Sequence, residues 1–196
     1  MLSNKHMGYK GLAFLAFVVA LSLPARASIV VNGGFETGDF TGWTQFGDTS
    51  FASVSSDSPV PQSGVYGASF GEFDRTGGIF QTLATTAGTK YTVDFWLQNE
   101  SDFNGAFSPN SFAFTWGGLT EMTLSNASPF DYKHYSFTLT ALAATTDLRF
   151  QFRQDPAFYD LDNVAVTAAV PEPETWALFT AGLVGLVARR RRQQAA

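Results

Sequence analysis

Between residues 28 and 169 the chain alternates apolar and polar side chains in short stretches, the period of strands with one buried and one wet face. In Lys90 to Gln98, Tyr91, Val93, Phe95 and Leu97 point one way, and Thr92, Asp94, Trp96 and Gln98 the other. Leu148, Phe150 and Phe152 form the apolar side of Asp147 to Arg153, and Tyr135, Phe137 and Leu139 that of Tyr135 to Thr140. Further strand-like runs are Ser28 to Val31, Phe51 to Ser55, Val65 to Phe73, Ile79 to Ala84, Phe112 to Trp116, Thr120 to Leu124 and Asp162 to Thr167. Turn chemistry separates them, as in Asn32-Gly33-Gly34, Thr76-Gly77-Gly78, Ala87-Gly88 and Ser108-Pro109-Asn110. No segment of this body has a helical period. About nine or ten short strands at close spacing predict an all-β domain, an antiparallel β-sandwich.

The two ends follow different patterns. Residues 1–27 read as a secretory signal peptide: Lys5 and Lys10 open it, an apolar run from Gly11 to Leu23 follows, and Ala25-Arg26-Ala27 supplies the small residues before a cut at Ser28. Residues 170–196 begin with Pro171-Glu172-Pro173-Glu174-Thr175-Trp176-Ala177, continue as an apolar run through Ala188, and reach Arg189, Arg190, Arg191 and Arg192. The prolines keep the preceding peptide extended, Trp176 suits a membrane interface, and the arginines hold the tail on the cytoplasmic side. From Trp176 to Ala188 a helix spans about 20 Å against a hydrocarbon core of ~30 Å, which suits a short, temporary transmembrane anchor.

Composition narrows the chemistry. With aromatics at 15% and charged residues at 15%, a packed core is affordable for one domain at 28–169. That body holds five basic residues (Arg75, Lys90, Lys133, Arg149, Arg153) against fifteen acidic ones, a net of −10 that repels phosphate backbones. Nucleic acid is therefore not an expected partner, and divalent cations suit the body better. No cysteine is present, and His134 is the only histidine of the body, which excludes disulfides, Cys-based zinc sites and a multi-histidine metal site.

Pro171 to Ala177, the apolar run and the arginine cluster resemble the PEP-CTERM proteins in the Pro-Glu-Pro-x-x-Trp-Ala variant of their tag. The resemblance implies a Gram-negative bacterium, export through the general secretion machinery, and a precursor transiently anchored in the inner membrane. An exosortase would then remove the tail and release the body to the cell surface or extracellular matrix. The body also carries motifs that look like those of galactose-binding-like jelly rolls and the carbohydrate-binding modules built on them. These are Asn32-Gly33-Gly34-Phe35-Glu36-Thr37-Gly38 with Phe40-Thr41-Gly42-Trp43, Ile79 to Leu83 with Tyr91 to Trp96, and Leu161-Asp162-Asn163-Val164-Ala165-Val166. Gln151-Phe152-Arg153-Gln154-Asp155 resembles a signature of one group of PEP-CTERM proteins and implies no activity.

The jelly-roll resemblance implies a structural calcium ion where the opening loop meets the closing strand. Glu36 and Asp162 would supply carboxylates, and carbonyls near Asn32, Gly34, Ser63 and Gly64 would complete the oxygen shell that calcium requires. A sugar platform needs an exposed aromatic face, for which Tyr66, Trp96 and Trp116 are the candidates, while Trp43 reads as a core plug. The expected function is that of a non-enzymatic surface or matrix protein. An alternative is a carbohydrate-binding module that recognises exopolysaccharide. A third is a small polysaccharide hydrolase or lyase, drawing on Glu72, Asp74, Glu100 and Asp102 or on His134 beside Tyr132 and Tyr135.

Overall fold

The computed structural model describes residues 27–57, 61–101 and 109–169, with four helical positions of the tail, 182, 183, 190 and 193. The expected signal helix and, apart from 182 and 183, the apolar run of the tail fall outside the described residues. Among the described residues no helix is long and apolar enough to cross a membrane.

Among the described residues ten strands form two five-stranded sheets in which every ladder is antiparallel. The first sheet orders β1 (Thr44–Gly47), β4 (Gly77–Ala84), β9 (Thr145–Gln154), β6 (Asn110–Trp116) and β7 (Leu119–Ser125). The second orders β2 (Ala52–Ser55), β3 (Gly67–Phe70), β10 (Tyr159–Ala168), β5 (Lys90–Asn99) and β8 (Phe130–Thr140). β9 and β10 are thus the central strands.

The alternation read in the sequence places the apolar set between the sheets. Phe70 of β3 stacks on Phe152 of β9 with ring centroids 4.0 Å apart, and Phe95 of β5 meets Phe150 of β9 at 5.1 Å and Phe114 of β6 at 5.3 Å. These fully buried rings cross from sheet to sheet, and burial of each stabilises the sandwich by about 1.5–3 kcal/mol. At one end of the core a set of amides replaces the rings. Tyr159 Oη donates to Asn110 Oδ1 at 2.6 Å, Gln154 Nε2 donates to Asn99 Oδ1, and Asn99 and Asn110 each donate to the Ala127 carbonyl. That network holds the β7–β8 turn over the core end, where bare carbonyls would otherwise be costly.

Two expectations change. Ser28 to Val31 is not a strand: Ile29 N–H donates to the Val166 carbonyl at 2.9 Å, but Val31 pairs with a side chain. Gln81 accepts from Val31 N–H through Oε1 and donates through Nε2 to the Val31 and Gly42 carbonyls, standing in for a neighbouring strand. Thr44–Gly47 is a strand that the pattern did not reveal, because its side chains are mostly exposed and its order comes from pairing with β4.

β10 carries the feature that positions the candidate site. Its ladder with β5 shifts register between Asp162 and Ala165, and Asn163 there has φ 51°. The bulge turns the Val164 N–H away from β5, and it donates instead to the Gly33 carbonyl of the opening loop at 2.8 Å. A side chain at Gly33 would put Cβ 1.9 Å from the Val164 carbonyl oxygen, so the loop docks only with glycine there.

Candidate functional site

The bulge joins the opening loop, the 62–66 segment and β10 around two carboxylates. Asp162 is fully buried; its Oδ2 accepts from the Gln62 and Ser63 N–H groups at 2.8 and 3.1 Å, and its Oδ1 from Asn163 N–H at 2.6 Å. Glu36 Oε1 accepts from the N–H groups of Val65 at 3.0 Å and Tyr66 at 3.2 Å. Gly64, at φ 72°, lets the carboxylate lie against the backbone, since a Cβ there would fall 2.1 Å from Glu36 Oε1. Asn163 Nδ2 closes the ring by donating to Gln62 Oε1 and Ser63 Oγ. Burial raises the Asp162 pKa, the three amide bonds oppose that rise, and the Glu36 charge adds to it.

The four expected carbonyl contributors are distributed around this clasp in different ways. Gly34, Ser63 and Gly64 border it, and the Cβ position of Gly34 lies 3.5 Å from Asn163 Oδ1 and 3.9 Å from Asp162 Oδ1. The Asn32 carbonyl already accepts from Trp43 Nε1 at 3.0 Å, so it serves the core plug. Trp43 is buried, as the sequence suggested.

The second element is the outward side of the second sheet. Because residues paired across a ladder share a face, one row runs Ser53, Ser69, Asp160 and Gln98, and the next runs Ser55, Gly67, Asp162, Trp96 and His134. Trp96 and His134 pack with ring centroids 5.2 Å apart, and His134 Nε2 meets Asp94 Oδ1 at 3.1 Å. Trp96 is half-buried, leaving part of its face open beside polar neighbours.

Asp160 was not anticipated. It projects outward from the central strand yet has no exposure, and neither oxygen has a hydrogen-bond partner. Glu100 and Ser69 lie within side-chain hydrogen-bonding reach of it, Ser69 favouring its charged form and Glu100 its neutral one. Burial first and the Glu100 charge second hold the Asp160 carboxyl well above the usual carboxylate range, and burial likewise raises Glu100. Tyr132 is raised by burial and then by Asp160, Asp162 and Glu100. Glu100 lines a cavity of about 460 Å³ together with Gln98, Asn99, Ser101, Pro129, Phe130 and Asp131; Asp160 does not reach it.

Other expected site residues are placed differently. Trp116 is 3% exposed and donates Nε1–H to the Thr140 carbonyl at 3.2 Å, so it is a core residue and no sugar platform. Tyr66 is half-buried against Gly38. Glu72 and Asp74 follow β3 in a loop and do not share a strand face. Glu72 is fully buried, whereas Asp74 is exposed and bonds to Arg153 at 3.2 Å. Ser28 Oγ accepts from Val166 N–H at 3.0 Å and Ala27 is exposed. Ala25, Asp102, Pro171, Glu172, Pro173, Trp176, Ala177, Arg189, Arg191 and Arg192 lie outside the described residues. Only the charge alternation of β10 could have signalled Asp160, since its pairing with Glu100 depends on where β5 ends.

Comparison with known proteins addresses the tail and the fold of the body. Residues 169–192 match a family described as the PEP-CTERM protein-sorting motif. A search of curated proteins finds no match. Among solved structures, TmCBM61 in complex with beta-1,4-galactotriose is similar with a TM-score of 0.58 and 18% identity, over 72% of this chain and 99% of that one. The CBM22-1 xylan-binding domain from Paenibacillus barcinonensis Xyn10C gives 0.51 and 14%, over 76% and 99%. A cleaved adhesin domain of Lys-gingipain from Porphyromonas gingivalis gives 0.51 and 12%, over 70% and 96%. The body is therefore an all-β jelly-roll sandwich of the kind found in carbohydrate-binding modules. The chain ends in a PEP-CTERM sorting motif.

Glu72 generates a prediction about pH. Burial first and the Asp48 charge second push its carboxyl up to about 7, and both its oxygens lack hydrogen-bond partners. An acid whose pKa is raised on folding stabilises fully below its unfolded value, and that contribution is lost as pH rises through the folded one. Glu72→Gln is therefore expected to melt higher than the wild type at pH 8 and at nearly the same temperature at pH 4.5. Melting curves that stay parallel across that range would show that Glu72 does not titrate there.

Proposed function

We propose that this chain is an exported, non-enzymatic protein of the cell surface or extracellular matrix, whose jelly roll binds polysaccharide and whose tail is processed by an exosortase. The observation that carries the binding role is Trp96: a half-open indole braced by His134 on a polar sheet face, in a fold shared with carbohydrate-binding modules. A pyranose presents an apolar face that stacks on such a ring, while its hydroxyls meet the neighbouring Asp94, Gln98 and His134. The sorting motif at 169–192 supports export, inner-membrane anchoring of a precursor, and release to the surface of a Gram-negative cell.

The geometry favours binding over hydrolysis. Glycosidases that retain configuration hold their two carboxyls ~5–5.5 Å apart, and inverting enzymes hold them further apart, so that sugar or water fits between. The carboxyl beside Glu100, that of Asp160, is fully buried and so is not open to a sugar or a water. Glu72 is buried away from solvent. His134 is engaged with Asp94.

We also propose that calcium occupies the clasp. Glu36 and Asp162 would hold the ion with the carbonyls near Gly34, Ser63 and Gly64. The donor set fits: the exposed Glu36 carboxylate repels the buried one of Asp162, and the Gln62 and Ser63 side-chain oxygens lie beside them. Five backbone N–H bonds (from Gln62, Ser63, Asn163, Val65 and Tyr66) orient those carboxylates from behind. The ion would tie residues near both ends of the sandwich, a role in stability.

Three outcomes test this account. Trp96→Ala is expected to weaken polysaccharide binding by at least about tenfold, or ~1.4 kcal/mol, in a titration against soluble glycans, with the melting temperature little changed. Undiminished binding would move the platform elsewhere. After chelation, saturating calcium is expected to raise the melting temperature, by ~2.7 kcal/mol of added stability at a hundredfold excess over Kd, and Asp162→Asn should abolish the response. A melting curve indifferent to calcium removes the ion. In cells, replacing Pro171 and Pro173 with alanine is expected to leave the protein in the inner membrane, and normal release would exclude sorting through the motif.

A further inference from the structure

The two ends of the sandwich differ in charge and in what leaves them. At one end β4, β6, β8 and β10 finish and β5, β7 and β9 begin, which brings together the loops 85–89, 117–118 and 141–144. None of those loop residues is charged. Leu142 there is 75% exposed, more than any other large apolar side chain described, and Leu119 is 57% exposed. The two leucines border a groove of about 200 Å³ lined also by Trp116, Glu121, Thr140 and Thr146. The opposite end exposes Phe51 and Phe73, but there Asp48, Asp74, Glu100, Asp131 and Asp155 outnumber Arg75, Lys133 and Arg153.

Both segments expected to enter the membrane meet the body at the uncharged end. Ala169 N–H donates to the Lys90 carbonyl at 2.8 Å, Lys90 pairs with Thr140, and the Thr140 carbonyl accepts from Trp116 Nε1 in the groove. The tail therefore departs two strand spacings, about 10 Å, from the groove. Ser28, the expected first residue after signal cleavage, is held to Val166 near the same end of β10. Trp176 lies seven residues beyond Ala169. Fully extended, that stretch spans at most ~25 Å, so with the apolar run in the bilayer this end of the body stays close to its surface.

Resting on the reading of the tail as a membrane anchor, we propose that this end of the sandwich is a docking face for the phospholipid bilayer. In the anchored precursor Leu119 and Leu142 enter the boundary of the leaflet into which the tail runs, and the exposed Lys90 beside them reaches lipid phosphates. Uncharged loops permit that approach, whereas the acidic far end is repelled by anionic lipid. The contact supplements an apolar run whose helix, about 20 Å long, falls short of the ~30 Å hydrocarbon core. Two leucines hold weakly and reversibly, so cutting the tail frees the body from the membrane. A second copy of the chain suits the face less well, because a stable pairing buries about 800 Å² on each partner, far more than two leucine side chains supply.

The chain has no cysteine, so a single fluorescent label can be placed through Ala143→Cys beside Leu142, or through Ser50→Cys at the far end, both at exposed positions. The labelled full chain is reconstituted into vesicles of phosphatidylethanolamine and phosphatidylglycerol, some of whose lipids carry a nitroxide near the headgroup. Emission from position 143 is expected to be quenched and that from position 50 to be unaffected. Leu119→Asp combined with Leu142→Asp should abolish the quenching while the protein still floats with the vesicles. Both leucines are largely exposed, so this variant is expected to keep its melting temperature; should it not fold, Leu142→Asp alone carries the same test. A chain that does not float with the vesicles overturns the anchor reading and the docking with it. Floating without quenching at 143, or with equal quenching at both positions, overturns the docking alone. Should the unquenched label then respond to Trp176→Ala, the groove belongs to the chain's own tail; should it respond to the protein-to-lipid ratio, it belongs to a second copy. Quenching that survives both aspartates removes the leucines from the contact and overturns the proposal.

Discussion

Asp162 receives three backbone N–H bonds from two stretches of chain about a hundred residues apart in sequence. It does so from the central strand of the second sheet, at a bulge that also hands the Val164 N–H to the opening loop. This one carboxylate ties the 62–63 segment to the closing strand. Without the bulge, β10 would pair evenly with β5 and the Gly33 carbonyl would lose its partner. Without the charge, the Gln62 and Ser63 amides would lose their acceptor. A buried carboxylate is tolerated because the amides compensate its desolvation, and Glu36 performs the same service for the next two residues.

The same strand sets the chemistry of the outward face. A central strand is covered on both edges, so a carboxyl that projects from it is shielded by its neighbours even on the solvent side. Asp162 is compensated by amides; Asp160, two residues earlier, is not. The result is a row in which an open aromatic ring, a histidine, amides and a pair of acids lie side by side. Stacking and hydrogen bonding on such a row suit a polyol. The core contributes to this indirectly. Interlocking phenylalanines fix the separation of the sheets, so the outward rows are held in register by packing on their other side.

The tail works on a different principle. Its motif is a linear signal read by a partner, and it needs no packed surface, only an accessible peptide and a membrane segment. The sorting motif and the jelly roll therefore place independent constraints on the chain. One directs the protein to the envelope, and the other presents a face there.

Strand period, turn residues and the absence of helical pattern were legible directly, because each is a local property of the backbone and of which side chains can be buried. Lys90 to Gln98 and Asp147 to Arg153 point as their alternation says, and Trp96 faces outward for that reason. Glu36 and Asp162 came from motif resemblance, and the structure brings both to one clasp. The sorting motif was readable in full, since its meaning lies in residue order alone. Trp116 misled because alternation assigns a face only relative to a neighbour, and only the pairing of β6 with β7 and β9 turns that ring inward. Ser28 to Val31 looked like a strand, yet a glutamine side chain took the place of its partner. The contact of Asp160 with Glu100 was decided wholly by tertiary structure. It joins residues sixty positions apart through the register of β10 on β5, and register is a property of the assembled sheet that no local pattern encodes.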